Sequence, residues 1–275
     1  MNVPRVVGVG EIQASLGPFE EIAPIGGPSG SGECWRVRVN GQIHVVKIIV
    51  REHEPGRFER EVAALGRLNS PRVMRVFHTG EIVTPAGRFP YLESEFVPGG
   101  SLFEHLRRGV PTDVDLRAFL LELLRGLAEL DTSLIVHRDL KPENIILRDG
   151  NWGHPVVIDL GICRLVDQTP FTVYPWAMGT WPYMAPEQLR AERATHRSDI
   201  WAATVIAAEA AAGAHPFRRG ERAPPPDWDQ RLRAGVTIPG SRPAGLRDWA
   251  LRAGNYRAYR RPTAARSIEL LEGGW

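Results

Sequence analysis

Cysteine is scarce in this sequence, with Cys34 and Cys163 alone among 275 residues. Two cysteines cannot build the multi-bridge framework of a small secreted domain, so both read as free thiols in a reducing cytoplasm. No apolar run approaches the roughly 20 residues that cross a bilayer. The most apolar stretch, 200–212, is short and alanine-rich and reads as a buried helix. Residues 1–10 carry one arginine and no apolar stretch of signal-peptide length, so export is not expected. An excess of one charge is missing too. Lys and Arg number 34 against 32 Asp and Glu, a formal charge of +2. That balance offers no field for a polyanion or an anionic bilayer, so neither nucleic acid nor membrane is an expected partner. No internal repeat is present.

What remains is ordinary for a folded chain, with 43% hydrophobic and 24% charged residues. The length suits one large domain or two lobes with real cores. Residues 19–97 read largely as strands with one helix. Strands are expected over 19–25, 34–39, 43–50, 73–77 and 91–96, with Asn40-Gly41 as a hairpin turn. Phe58, Val62 and Leu65 recur at helical spacing and predict a helix over 57–68. Pro98-Gly99-Gly100 marks a break. Beyond it Leu116, Phe119, Leu120, Leu123, Leu124, Leu127 and Leu130 form an apolar helical stripe. Short strands are expected over 145–147 and 156–158. A β-rich part followed by an α-rich part suggests two lobes with a cleft between them.

Chemistry concentrates in His137-Arg138-Asp139-Leu140-Lys141-Pro142-Glu143-Asn144. Here a carboxylate, an amine and an amide fall within six positions. A carboxylate can accept a hydroxyl proton and orient a nucleophile. An ammonium can offset charge on a transferring phosphate. An amide oxygen suits magnesium, a hard cation. The bland reading is a polar turn before a strand. Asp159-Leu160-Gly161 follows an apolar strand and is weak alone, because many turns look like it. Lys47 shares a strand face with Val45 and Ile49. An ammonium buried there without a partner is costly. It either reaches out to solvent or points into a polar cleft holding an anion. The glycine-rich stretch 25–32 lies between two strands, where glycine permits close backbone approach to phosphates. It is not a Walker A loop, because no Gly-Lys-Ser/Thr follows.

Together these segments resemble the protein kinase family in its serine/threonine form. The octapeptide resembles that family's catalytic loop, with Lys141-Pro142-Glu143 where tyrosine kinases usually place Ala-Ala-Arg. The resemblance implies Asp139 as catalytic base, Lys141 as a γ-phosphate contact and Asn144 as a magnesium ligand. Asp159-Leu160-Gly161 resembles Asp-Phe-Gly, which makes Asp159 the second magnesium ligand. Val45-Val46-Lys47 resembles Ala-x-Lys, so Lys47 would hold nucleotide phosphates and pair with Glu61, preferred over Glu59. Gly27 and Gly32 fall on the first and third glycines of the phosphate loop, with Ser29 on the second and Gly30 displaced by one. Residues 91–102 resemble the linker between lobes. Adenine would then bond to backbone groups of Glu95 and Val97 and lie between Cys34, Val45 and Ile146. Ser94 falls on the gatekeeper position, where a larger residue is usual, implying an enlarged pocket behind adenine.

The stretch 179–188 resembles the end of a serine/threonine kinase activation segment. It implies that Thr180 helps hold Lys141 and Asp139, and that Glu187 pairs with Arg261. Asp199 would accept backbone hydrogen bonds from the catalytic loop; an ordinary helix cap is the alternative, and the two are compatible. The resemblance implies that Arg138 answers a phosphate on the activation loop, with Thr169 or Thr172 autophosphorylated; two ordinary loop hydroxyls are the alternative.

The expected architecture is α+β and bilobal. Residues 1–18 are an N-terminal extension, 19–97 a small β-rich lobe and 98–275 a larger helical lobe, with ATP in the cleft; the resemblance runs over 19–270. The implied activity is transfer of the ATP γ-phosphate to serine or threonine of a protein substrate in the cytoplasm. ATP and magnesium would be the cofactors, with manganese as a substitute. A transient homodimer during autophosphorylation is the further partner the resemblance implies. A pseudokinase scaffold is a rival, resting on the irregular glycine loop and Leu160. A small-molecule phosphotransferase is another, disfavoured by the activation-segment ending and its arginine. A pure interaction module would leave the catalytic set unexplained.

Overall fold

Asn40 and Gly41 both lie at positive φ, 49° and 73°. That left-handed pair is what a two-residue hairpin needs to match the twist of its strands. The computed structural model describes residues 5–29, 32–50, 66, 68–159 and 181–275. Its described part divides into two compact units, the chain passing from the first to the second between Phe96 and Val97, with 70–73 also in the second. The helix expected over 57–68 lies outside the described residues, Gly66 and Leu68 apart.

The first unit is an antiparallel sheet of β1 (Glu21–Ser29), β2 (Gly32–Val39), β3 (Gln42–Ile48), β4 (Val76–Thr84) and β5 (Gly87–Glu95). The strand order is β1-β2-β3-β5-β4. Register sorts its side chains. Cys34 faces Lys47, Lys47 faces Leu92, and Val45 faces Ser94, so these five share one side of the sheet. Trp35, Val37, Val46 and Ile48 take the other side and are buried.

What covers that second side comes from the extension. A helix α1 (Val9–Leu16) precedes the sheet, and Val7 and Ile12 are fully buried in one cluster with Trp35, Val37, Val46, Ile48 and Ile82. The segment read as an extension is therefore part of the first unit's core. Ile12→Ala is expected to cost about 2–5 kcal/mol of stability, seen as a lower urea midpoint; an unchanged midpoint would detach α1 from the core.

β4 and β5 are longer than their sequence suggests. The strand expected over 73–77 begins at Val76 and runs on to Thr84. Val73 makes only an isolated bridge to Val157. Thr84 turns the hairpin, its hydroxyl accepting from the Ala86 amide at 3.0 Å.

The second unit is mostly helical. It holds α2 (Leu102–Leu106), α3 (Asp113–Thr132), α4 (Pro186–Leu189), α5 (His196–Ala212), α6 (Trp228–Arg233), α7 (Ala244–Ala253) and α8 (Ala264–Gly274). A small hairpin joins them, β6 (Ile145–Leu147) with β7 (Pro155–Val157). The leucine stripe of α3 is buried throughout, against α5 and α8. Thr112 caps α3 by accepting from the Asp115 amide, and Asp113 and Asp115 face the positive end of its dipole. α5 is buried on nearly every side, which its alanines permit by letting neighbours approach closely. It stops at Gly213, whose φ of 72° ends the helix without a Cβ penalty.

Candidate active site

The hairpin β6–β7 and the start of α5 position the loop 137–144. Asp199, buried in the first turn of α5, accepts from the amides of His137 at 2.8 Å and Arg138 at 2.9 Å. Burial raises the Asp199 carboxyl above its ordinary range, against the opposing pull of His137 and the two amide bonds. Two charge-assisted bonds are what make a buried carboxylate tolerable. The His137 ring is fixed as well. Its Nδ1 accepts from the Asp139 amide at 3.2 Å, so its Nε2 carries the hydrogen toward the Ile158 carbonyl at 3.1 Å.

This scaffold brings three expected residues together. Lys141 Nζ lies 3.3 Å from the Asp139 carboxylate. Asn144 Nδ2 donates to the Asp139 carbonyl at 2.8 Å. The Ile158 amide donates to the Asn144 carbonyl at 2.9 Å, tying the loop to the residue before Asp159. Arg138 and Asp159 take left-handed φ of 66° and 57°, conformations unfavourable for non-glycine residues and held here by the surrounding bonds. Gln188 contributes by donating to the Arg138 carbonyl at 2.8 Å.

Further expected residues lie in the first unit. Cys34, Val45, Lys47 and Ser94 share one sheet face, with Ser94 buried. Gly26, at φ 61°, and Gly27 have open space where a Cβ would project. Gly32 differs: a Cβ there would come within 2.1 Å of the Ile48 carbonyl, so packing alone demands glycine. Glu95 uses its amide on the Arg75 carbonyl at 2.9 Å. Val97 and Ile146 belong to the second unit, Ile146 bridging to Ser101. Glu61, Gly30, Thr180, Thr169, Thr172 and Leu160-Gly161 lie outside the described residues.

Beyond the loop, Glu187 and Arg261, 74 positions apart, form a two-pronged pair at 2.7 and 2.9 Å. Ser198 adds a bond to Glu187 at 2.8 Å. Burial pulls the Glu187 carboxyl up, but Arg261 outweighs it and the net displacement is downward.

Two groups escaped the sequence reading. Glu209 of α5 accepts from the Tyr183 hydroxyl at 2.6 Å; a lone acid inside an alanine-rich buried helix was the available signal. His215 sits among Tyr183, Phe217 and Trp228, and burial lowers its imidazole to about 4. Its unfolded form therefore takes a proton first. Stability from neutral His215 is full above about pH 6.5 and is lost as pH falls toward 4, by up to about 3 kcal/mol. His215→Asn, which keeps an acceptor for the Phe217 and Arg218 amides, is expected to flatten the melting temperature across that window. An unaltered slope would assign the acid sensitivity elsewhere.

The geometry has a match among known proteins. A family model described as "Protein kinase domain" aligns with residues 19–234. The chain belongs to the protein kinase family. This kinase domain is 33% identical over 212 residues to a probable serine/threonine-protein kinase, PkwA, of Thermomonospora curvata, covering 74% of this chain and 27% of that protein. It is 29% identical over 218 residues to the serine/threonine-protein kinase PknD of Mycobacterium tuberculosis, covering 76% and 32%. Over 162 residues it is 36% identical to PknL of the same species, covering 58% and 39%. The kinase domain thus spans well under half the length of these curated relatives. Among its described residues no helix is long and apolar enough to cross a membrane.

Proposed function

We propose that this kinase domain transfers the γ-phosphate of ATP to serine or threonine hydroxyls of proteins. The observation that carries the proposal is the Asp139 carboxylate, held beside Lys141 Nζ at 3.3 Å in a loop anchored by Asp199. In this reading Asp139 accepts the hydroxyl proton and aims its oxygen in line with the γ-phosphorus. Lys141 offsets the charge that spreads over the phosphoryl oxygens. Lys47 holds the nucleotide phosphates, with Glu61 as its partner, and Thr180 steadies Lys141 and Asp139. Adenine packs on Cys34 and Val45; at Glu95 it would have to use the carbonyl, an acceptor, because the amide is engaged by Arg75. Ser94 leaves room behind it. Gly27, with Gly30 and Gly32, lets the backbone approach the phosphates.

The donor set fits a hard cation. The Asn144 amide nitrogen is committed to the Asp139 carbonyl, so its oxygen would be the atom to serve as a ligand, and Asp159 follows on the adjoining segment. Magnesium, or manganese in its place, would there neutralise phosphate charge. The names of the relatives support serine and threonine as acceptors, as does Lys141-Pro142-Glu143. The Glu187–Arg261 pair supports a protein over a small molecule as substrate. ATP is an intracellular reagent, which assigns the reaction to the cytoplasm, with a second copy of the chain as transient partner when the activation segment is modified. The test is transfer from labelled ATP and magnesium to the protein itself and to a generic basic protein. Label recovered as phosphoserine or phosphothreonine supports the proposal. Nucleotide binding with no transfer, or label on a small-molecule acceptor only, overturns it.

A further inference from the structure

Arg5 lies ahead of the region the family model covers, which starts at residue 19. It nevertheless reaches the glycine-rich hairpin. Its Nη2 donates to the Gly26 carbonyl at 2.6 Å. Gly26 belongs to β1, which with β2 forms that hairpin. On the β2 side stands Glu33, directly after Gly32, with its side chain fully buried. A carboxylate so buried is costly unless it is paired. Its hydrogen bond and its neighbouring cation both come from the N-terminal segment. The Val6 amide donates to Glu33 Oε1, and Arg5 Nη1 lies 3.9 Å from Glu33 Oε2. The same guanidinium sits 4.6 Å from the centre of the Trp35 ring, within reach of a cation–π attraction.

One short segment therefore ties both strands of the hairpin at its base. The tie is needed where pairing is poorest: the β1–β2 register runs regularly to Ile25–Cys34, then slips before Ser29–Gly32. Docking of α1 does not require the Gly26 bond, because Val7 and Ile12 already bury that segment against the sheet. Nor does Glu33 face the same side as Lys47. It alternates with Cys34 and so sits behind the face that carries the expected nucleotide contacts.

We propose that Arg5, set beside Glu33 and bonded to the Gly26 carbonyl, is a positioning residue for nucleotide binding, clamping the glycine-rich hairpin from behind. The inference rests on the kinase reading above. Preorganising the hairpin raises the fraction of molecules competent to bind, so losing the clamp weakens apparent affinity by that fraction. Chemistry at Asp139 is untouched, and the effect should appear in KM and not in kcat.

The experiment compares wild type, Arg5→Ala, Arg5→Lys and Ile12→Ala. The probes are a fluorescent ATP analogue with magnesium for Kd, labelled-ATP transfer for KM and kcat, and thermal melting. Arg5→Ala is expected to raise Kd and KM for nucleotide about ten- to 150-fold, the size of one bond to a charged donor, with kcat within about twofold. Arg5→Lys should recover part of the affinity through its charge beside Glu33. Ile12→Ala should lower the melting temperature and leave Kd unchanged. Arg5→Ala with unchanged Kd, or a Kd rise matched by Ile12→Ala, overturns the proposal. Wild type that binds nucleotide but transfers nothing defeats the kinase reading alone, since the Kd comparison still decides the clamp. Wild type that binds no nucleotide defeats both.

Discussion

Asp139→Asn is expected to lower kcat for phosphate transfer by about 10²–10⁴-fold, the usual contribution of a positioned general base. The substitution keeps the size of the side chain and removes its charge. The amide could still stand beside Lys141 Nζ, now 3.3 Å from the native carboxylate. It could not take the proton of an incoming hydroxyl. The backbone around it would hold, because the loop is anchored through the His137 and Arg138 amides on Asp199 and not through the Asp139 carboxylate. Nucleotide affinity and melting temperature should accordingly stay near the wild-type values. Steady-state transfer of labelled phosphate, with nucleotide Kd measured beside it, checks this. Activity within about tenfold of wild type would remove Asp139 from the role of base.

The largest effect on stability is expected at Arg261. Breaking a buried pair by removing one partner costs about 3–5 kcal/mol, because the remaining charge is left uncompensated. Arg261→Ala would strand Glu187, whose side chain is only 6% exposed. It would also release the carbonyls of Asn255, Arg197 and Tyr256, each now bonded to the guanidinium within 3.0 Å. The face of Trp201, 5.0 Å from the guanidinium carbon, loses its cation too. Arg261→Lys should rescue little, since an ammonium cannot serve two carboxylate oxygens and three carbonyls from one plane.

The pH dependence follows from the sign. The Glu187 carboxyl is held below its ordinary range in the folded state. Its contribution is therefore present above the unfolded value, about 4.3, and is lost as pH falls through the folded one. Arg261→Ala should erase that acid limb, visible as a shallower fall in urea midpoint at low pH. A melting temperature within a few degrees of wild type would show that the pair is not the keystone its burial suggests.

Several features were legible because the residues concerned are close in sequence. The leucine stripe of α3 reads off a helical period, and Asn40-Gly41 announces a turn from its own φ preferences. The run from His137 to Asn144 sets a carboxylate, an amine and an amide on one loop, so their proximity is nearly covalent. Lys47 betrays itself as a charge on an apolar strand face. Even the distant Glu187–Arg261 pair was expected, though through family resemblance and not through physics.

Other features depend on partners that spacing cannot name. Val7 and Ile12 fall in the stretch read as an N-terminal extension, and only the sheet they cover makes them core. Nothing in the spacing around Glu33 names Arg5 or the Val6 amide, the latter 27 residues away, as its neighbours. Glu209 and Tyr183 meet across 26 positions. β4 continues through His78, Thr79 and Glu81, polar residues that look like loop, because β5 pairs with it from His78 to Thr84, past a slip of register after Val76. The sequence by itself determined which reactive groups share one loop and which residues share one face, since neighbours and their periodicity are written locally. The tertiary structure alone decided which charges are buried and which backbone is clamped, since desolvation and pairing depend on what the rest of the chain places beside a residue.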